Sequence, residues 1–230
     1  MAVSAIIVAA GQGTRLGAGP PKALRPLAGK PLFLYSLQVF LVVRELSELI
    51  LVAPASHYGD FEALSRSVAG SKRVVIVPGG RERRDSVAAG LQAVGHSCEY
   101  VAVHDAARPF VTGAQVEACL AAARLHGAAI LAVPATDTIK WVEAGLVRRT
   151  LDRSRVWHAQ TPQACRADWL RAALEHGAQA GLEATDEASL LEAAGYPVSV
   201  VRGDEANRKL TLPEDWQWAE WRLAHSPSRP

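Results

Sequence analysis

The sequence predicts an α/β domain built on a mostly parallel sheet flanked by helices, with a protruding β-arm. Three observations predict it. Five short apolar runs alternate with helix-like stretches from the first residues onward, glycine-rich or charged segments follow several of these runs, and the rhythm breaks after Pro134. Continuous apolar runs mark strands buried on both faces, and strand–helix alternation implies right-handed crossovers. Ligands of such sheets sit beyond the carboxyl ends of the strands, so the segments that follow strands carry the functional information.

Ser4–Ala9 is the first strand, and Gly11–Pro21, with four glycines and two prolines, is the loop after it. Pro31–Arg44 has helical spacing, with Leu32, Tyr35, Leu37, Val39 and Leu41 as its apolar stripe. Leu49–Val52 is a strand, followed by a helix near Tyr58–Val68. Val74–Val77 is the next strand, followed by Gly79–Gly80 and a helix from Asp85 to Val94. Tyr100–Val103 is the fourth strand, Thr112 caps a helix to His126, and Ala129–Val133 is the fifth strand. Thr136–Asp152 then reads as a hairpin with Gly145 in its turn, carrying Trp141, Lys140, Arg148, Arg149 and, just beyond, Arg153 and Arg155. An isolated hairpin is marginal in water. It either folds over its own domain or reaches a second subunit, and spacing alone does not choose.

Helices are expected at Ala167–Ala178 and at Asp186–Ala194, the latter capped by Thr185, with a strand at Val198–Val201. Thr211-Leu-Pro-Glu214 reads as a capping box opening a last helix whose Trp216, Trp218 and Trp221 are packing groups. The expected organisation is one domain over 1–224, with an arm near 135–156 and a frayed tail at 225–230.

Composition narrows the function. The chain has 230 residues, 49% of them hydrophobic, which suffices for a packed core. Its 25 Lys+Arg against 23 Asp+Glu give a net charge of +2, so neither nucleic acid nor an anionic membrane is the expected partner. No apolar run is long enough to span a membrane, and Val3–Ala10 lacks the basic flank of a signal peptide. Cys98, Cys119 and Cys165 form no C-x-x-C. A soluble, cytoplasmic protein without disulfides or structural zinc is the expectation.

Three loops carry chemistry. The first reads Ala9-Ala10-Gly11-Gln-Gly13-Thr-Arg15-Leu16-Gly17, then Pro21-Lys22. Leu16 occupies the third glycine slot of a dinucleotide fingerprint, and Ala23 after Lys22 breaks a Walker A loop. There remain backbone N–H groups able to cradle anionic oxygens, and two cations, Arg15 and Lys22, able to neutralise charge on a transferring phosphoryl group. The second loop, Gly79-Gly80-Arg81-Glu-Arg83-Arg84-Asp85-Ser86, allows close backbone approach to a base or sugar. Ser86 stands where it can donate to a phosphate or cap the helix, and Arg83 and Arg84 read equally well as a solvated helix start. The third is His104-Asp105-Ala-Ala-Arg108-Pro109. Asp105 either holds Mg²⁺ beside nucleotide phosphates or pairs with Arg108 to shape the turn. His104 reads as a structural histidine. No zinc-ligand spacing and no G-x-S-x-G elbow are present.

Taken together, AAGQGTRLGAGPPK, GGRERRDSV, VHDAARPF, ATDTIK, TLDRSRVWHAQTPQ, ATDEAS and GDEANRKLTLPED resemble the 2-C-methyl-D-erythritol 4-phosphate cytidylyltransferases of non-mevalonate isoprenoid synthesis. They occur in family order across roughly Val3–Leu223. The resemblance implies a Rossmann-like, nucleotidyltransferase-type fold. It also implies CMP transfer from CTP to methylerythritol phosphate, with Mg²⁺, release of pyrophosphate, and small-molecule substrates only. It implies that Arg15 and Lys22 stabilise the pentavalent phosphorus, and that Arg153 and Lys209 grip the acceptor phosphate. CTP contacts map to Ala9, Ala10, Gly11, Gly13, Gly80, Arg81, Ser86 and Asp105, the last also as the metal ligand. Acceptor contacts map to Arg108, Thr138, Arg153, Thr161, Thr185 and Lys209. By the same resemblance the arm is exchanged between two subunits of a homodimer. Two positions depart from the family pattern: Arg81, where an acidic or small polar residue is common, and Cys165, where an aromatic residue is usual. The rival readings are a cytidylyltransferase for another polyol phosphate such as ribitol 5-phosphate, and a non-catalytic nucleotide-binding protein. The DTIK and TPQ segments argue against sugar 1-phosphates or the molybdenum cofactor as acceptor. No fused second catalytic domain is expected.

Overall fold

Period-two alternation in the first strand sets the architecture. The structure is a computed structural model and describes residues 2–11, 13, 16, 17 and 19–225. In β1 (Ala2–Val8), Val3, Ala5 and Ile7 pack into one core and Ile6 into another, all fully buried. A strand of this kind requires helices on both faces. β2 (Pro26–Leu27) and β3 (Lys30–Pro31) form a small separate hairpin. β1 pairs in parallel with β4 (Leu46–Ala53) and β6 (Cys98–Asp105), and β4 with β5 (Arg73–Pro78). β7 (Ala128–Pro134) runs parallel to β11 (Ser199–Arg202), and β10 (Trp157–Arg166) lies between β6 and β7, antiparallel to both. The order is β11-β7-β10-β6-β1-β4-β5.

One face is covered by α1 (Leu32–Val42), α2 (Tyr58–Arg66) and α4 (Gly113–His126), whose Phe33, Phe40, Phe61, Val116 and Leu120 share one buried core with Ile7, Leu49, Leu51, Ala129 and Leu131 of the sheet. The other is covered by α3 (Arg83–Ala93), α5 (Ala167–Gln179) and α6 (Glu187–Ala193), through Val87, Leu91, Leu170 and Leu190. The last helix, α7 (Pro213–His225), closes a third cluster around Leu27, Leu32, Phe110 and Leu210.

The expected strands and helices are present with shifted ends, and several local expectations are corrected. β10 escapes a periodicity search because its HAQTPQ half is polar; its buried glutamines are satisfied by backbone and by Asp186. The end strands β5 and β11 are only partly buried, since an edge strand has one neighbour. In α1 the buried face centres on Phe33, Leu37 and Phe40 rather than on Tyr35, Val39 and Leu41. Asp186, not Thr185, caps α6: its carboxylate accepts from Ser189 N at 3.0 Å. The final helix is opened by Asp215, which accepts from Thr211 N and Leu212 N at 2.8 and 2.9 Å, so Glu214 takes no part in a box. His225 is still helical, and 226–230 lie outside the described residues.

The arm is a hairpin, β8 (Lys140–Glu143) and β9 (Leu146–Thr150). Its turn residues Ala144 and Gly145 have φ of 50° and 77°, the left-handed pair that tight hairpins require. Every residue of both strands is exposed.

Candidate active site

Parallel strands bring their carboxyl ends to one edge of the sheet, so the loops after β1, β5 and β6 meet there. β10, being antiparallel, delivers its N-terminal half to the same edge, with Thr161 beside Asp105. The chain from β11 to α7 folds back over it through Leu210 N, which donates to Ala107 O at 2.8 Å. The result is a cavity of about 220 Å³ lined by Ala9, Ala10, Gly11, Lys22, Gly80, Arg81, Ser86, Asp105 and Lys209 among others. A second cavity, of about 180 Å³, is lined by Arg108, Thr161, Thr185, Gln160 and Asp186, and shares Arg83, Asp105 and Lys209 with the first.

Close packing shapes the first cavity. Gly13 has φ of +70°, and a Cβ there would stand 2.5 Å from Lys22 Cβ, so this position folds the glycine-rich loop back on the lysine. A Cβ on Gly79 would collide with Ala10 Cβ, which makes this glycine the contact between the two loops. Gly80 N donates to Ser86 Oγ at 3.2 Å, and Ser86 Oγ donates to Glu82 O at 3.1 Å. Ser86 therefore braces the loop from within. The cap of α3 is Glu82, reciprocated by Asp85.

Asp105 is the electrostatic centre. Its Oδ1 takes Arg83 Nε at 3.0 Å and its Oδ2 takes Lys209 Nζ at 2.7 Å. Burial alone would push this carboxyl up, but the Arg83 and Lys209 cations override it and hold it far below the usual carboxylate range. The sequence-level alternative of an Asp105–Arg108 pair is not what forms. Arg108 instead donates to Asn207 O at 2.8 Å and Ala159 O at 3.2 Å, tying the third loop to the segment before α7. Lys22 Nζ donates to Leu210 O at 3.1 Å.

His104 is structural, as its residue type suggested. It is fully buried, with Nε2 at 3.3 Å from Arg108 O; a carbonyl only accepts, so Nε2 carries the proton. Nδ1 then accepts from the Thr161 hydroxyl at 2.9 Å, and the same oxygen accepts from Asp105 N at 3.1 Å. Burial pushes this imidazole down to about 3 from 6.5. The unfolded chain protonates it below about pH 6.5 and the folded chain does not, so the stability it confers is present above that pH and lost as pH falls toward 3. Denaturant unfolding should show about 2 kcal/mol of such loss between pH 8 and pH 5. His104→Gln should lack that component, and identical pH slopes for the two chains would contradict the assignment.

The structure thus brings Lys22, Gly80, Arg81, Ser86, Asp105, Arg108, Thr161, Thr185 and Lys209 around two adjoining cavities. It does not bring the arm residues there: Thr138 is exposed, Arg153 Nη1 donates to Thr136 O at 2.9 Å, and neither lines either cavity. Arg15 lies outside the described residues. Sequence reasoning missed Glu187, the buried partner of Arg83 at 2.6 Å; only the acidic DE pair of ATDEAS hinted at it.

A family model described as IspD, 2-C-methyl-D-erythritol 4-phosphate cytidylyltransferase, matches residues 3–225. The chain belongs to this family. It is 44% identical over 224 residues to the 2-C-methyl-D-erythritol 4-phosphate cytidylyltransferase of Geobacillus thermodenitrificans, covering 97% of this chain and 98% of that one. It is 46% identical over 225 residues to a bifunctional IspD/IspF enzyme of Desulforudis audaxviator, covering 97% of this chain but 57% of the relative. In structure it resembles the 4-diphosphocytidyl-2C-methyl-D-erythritol synthase of Anaerococcus prevotii, with a TM-score of 0.88 at 29% identity over 97% of this chain and 99% of that one. The Thermus thermophilus 2-C-methyl-D-erythritol 4-phosphate cytidylyltransferase superposes with a TM-score of 0.77 at 34% identity, covering 98% and 100%. These neighbours carry the fold expectation of a single-domain, mostly parallel α/β nucleotidyltransferase sheet. Among the described residues no helix is long and apolar enough to cross a membrane.

Proposed function

We infer that this chain transfers CMP from CTP to 2-C-methyl-D-erythritol 4-phosphate, releasing pyrophosphate. The observation that carries the reading is the shared wall of Asp105, Arg83 and Lys209 between two cavities, one floored by glycine-rich backbone and Lys22, the other by Arg108. Two polyanions that must meet in line need such a partition of fixed charge. An oxygen of the acceptor phosphate attacks the α-phosphorus of CTP, and the bond to pyrophosphate breaks. The phosphate is already ionised near neutral pH, so no general base is required. Lys22, with Arg15, stabilises the charge spread over the pentavalent phosphorus. The backbone of Ala9, Ala10, Gly11, Gly13, Gly80 and Arg81 shapes the nucleotide side. Arg108, Thr185 and Lys209 face the acceptor, while Thr161 holds Asp105 in place.

Among the described residues no cluster of three or more His, Cys, Asp or Glu can hold a metal. Mg²⁺ in a nucleotide site needs only one carboxylate beside substrate phosphates and water. Asp105 is the residue that would hold it, and the ion supplies screening between phosphate oxygens. Turning Lys209 from Asp105 toward an anion would free Oδ2 for that purpose.

The arm supports a homodimer. Trp141, Val142, Leu146 and Val147 are 46–63% exposed on a hairpin whose ladder joins β8 only to β9. A second copy of the chain would cover this apolar surface and carry Thr138 and Arg153 to its partner's acceptor cavity. Three buried, unpaired cysteines suit a reducing, cytoplasmic setting.

The test is pyrophosphate release by the purified chain with CTP, Mg²⁺ and one acceptor at a time. Release with methylerythritol phosphate and far less with ribitol 5-phosphate is expected. Preference for ribitol 5-phosphate, or release with neither acceptor, would overturn the reading.

A further inference from the structure

Behind the shared wall stands a side chain with no part in the scheme above. Glu187, in the first turn of α6, is 2% exposed, yet it carries a carboxylate. Both its oxygens are taken by Arg83, Nη1 to Oε1 at 2.6 Å and Nη2 to Oε2 at 3.1 Å. The third nitrogen of that guanidinium, Nε, holds Asp105 Oδ1 at 3.0 Å. Desolvating such a carboxylate is costly, and an apolar residue of similar size would pack the same space at least as well. The arrangement therefore calls for a reason beyond packing.

Position supplies one. Arg83 lines both cavities, between the places assigned to two phosphate-bearing substrates. A guanidinium fork matches phosphate as well as carboxylate, so an untethered Arg83 would turn onto a substrate and leave Asp105. Glu187 takes one N–H of each η nitrogen and Asp105 takes Nε, so no paired N–H face of the fork is left for a phosphate. Asp105 is then gripped unequally: Oδ1 by an arginine locked from behind, Oδ2 by Lys209, whose side chain is 38% exposed and able to leave. With Lys209 turned away, Glu187, Arg83 and Asp105 together carry a net charge of −1, which suits a cation beside the phosphates.

We propose that Glu187 is a positioning residue that acts through Arg83, holding this guanidinium off the substrates and keeping Asp105 aimed into the cavity with a single exchangeable oxygen. The proposal rests on the functional reading above and adds to it one residue of this chain.

Glu187→Gln keeps the shape and one hydrogen bond while removing the charge. Its expected signature is a kcat about tenfold lower together with CTP binding a few-fold tighter, measured by calorimetry without acceptor, because the released fork engages the triphosphate. Adding Arg83→Gln to it should abolish the tightening. A merely structural role would instead weaken CTP binding in step with a lower Tm, and that result would overturn the proposal, as would unchanged kcat and affinity. If Glu187→Gln fails to fold, Arg83→Lys decides the matter: it keeps the charge but loses the fork. A lowered kcat with CTP affinity held supports the proposal, and both unchanged overturns it. If the unsubstituted chain binds no CTP, the functional reading falls and this proposal with it. Normal binding and turnover by that chain beside an indifferent variant removes the proposal alone.

Discussion

Replacing Lys22 with alanine is expected to lower kcat by about 10²-fold or more while changing the KM for CTP far less. The reason is where this cation stands. It follows a glycine-rich loop whose Gly13 packs against the Lys22 Cβ, its side chain lines the nucleotide cavity, and its Nζ donates to Leu210 O at 3.1 Å. A cation fixed at its stem and at its tip is preorganised for charge that grows at the phosphorus during transfer, and it matters less for a ground state that water also screens. Steady-state kinetics with both substrates varied checks this. An equal loss in kcat/KM and kcat is the expected pattern, and a pure KM effect would assign Lys22 to binding alone.

The second large effect is expected for Asp105→Asn, which should cost both activity and stability. The carboxylate is buried and holds Arg83 and Lys209 at 3.0 and 2.7 Å. An amide in its place leaves two cations facing a neutral group, and breaking a buried pair in this way costs about 3 kcal/mol. Activity should fall on the order of 10²-fold, because the variant loses the one oxygen on this wall suited to a hard cation. Thermal unfolding and turnover measured on the same preparation separate the two effects. A Tm matching the unsubstituted chain would contradict the charge-centre role.

Much of this was legible from residue order, and what was not has identifiable causes. Strands such as Leu46–Ala53 announce themselves because a run buried on both faces must be apolar. β10 did not, because its site half is polar and is held by side-chain bonds from Gln160 and Gln163 that a hydropathy pattern does not register. The gathering of the loops after β1, β5 and β6 at one edge was readable, since parallel strands align their carboxyl ends. The Arg83–Glu187 bond was not, because its partners stand 104 residues apart and only the fold brings α3 and α6 together. Caps fared similarly: Thr112 was read correctly, whereas at 185–186 and 211–215 a neighbouring aspartate took the role assigned to a threonine or glutamate.

In the proposed reading the partner's arm completes the acceptor cavity, and a subunit-mixing experiment tests that most directly. Lys22→Ala and Arg153→Ala chains, each with its own tag, are co-expressed and purified through both tags, so that only hybrids are assayed. If each arm serves the partner's cavity, one site of every hybrid pairs an intact Lys22 with an intact Arg153, and about half of the unsubstituted dimer's turnover should return. If each arm serves its own chain, every site in the hybrid keeps one defect, and turnover no higher than that of the parent variants would refute the shared site.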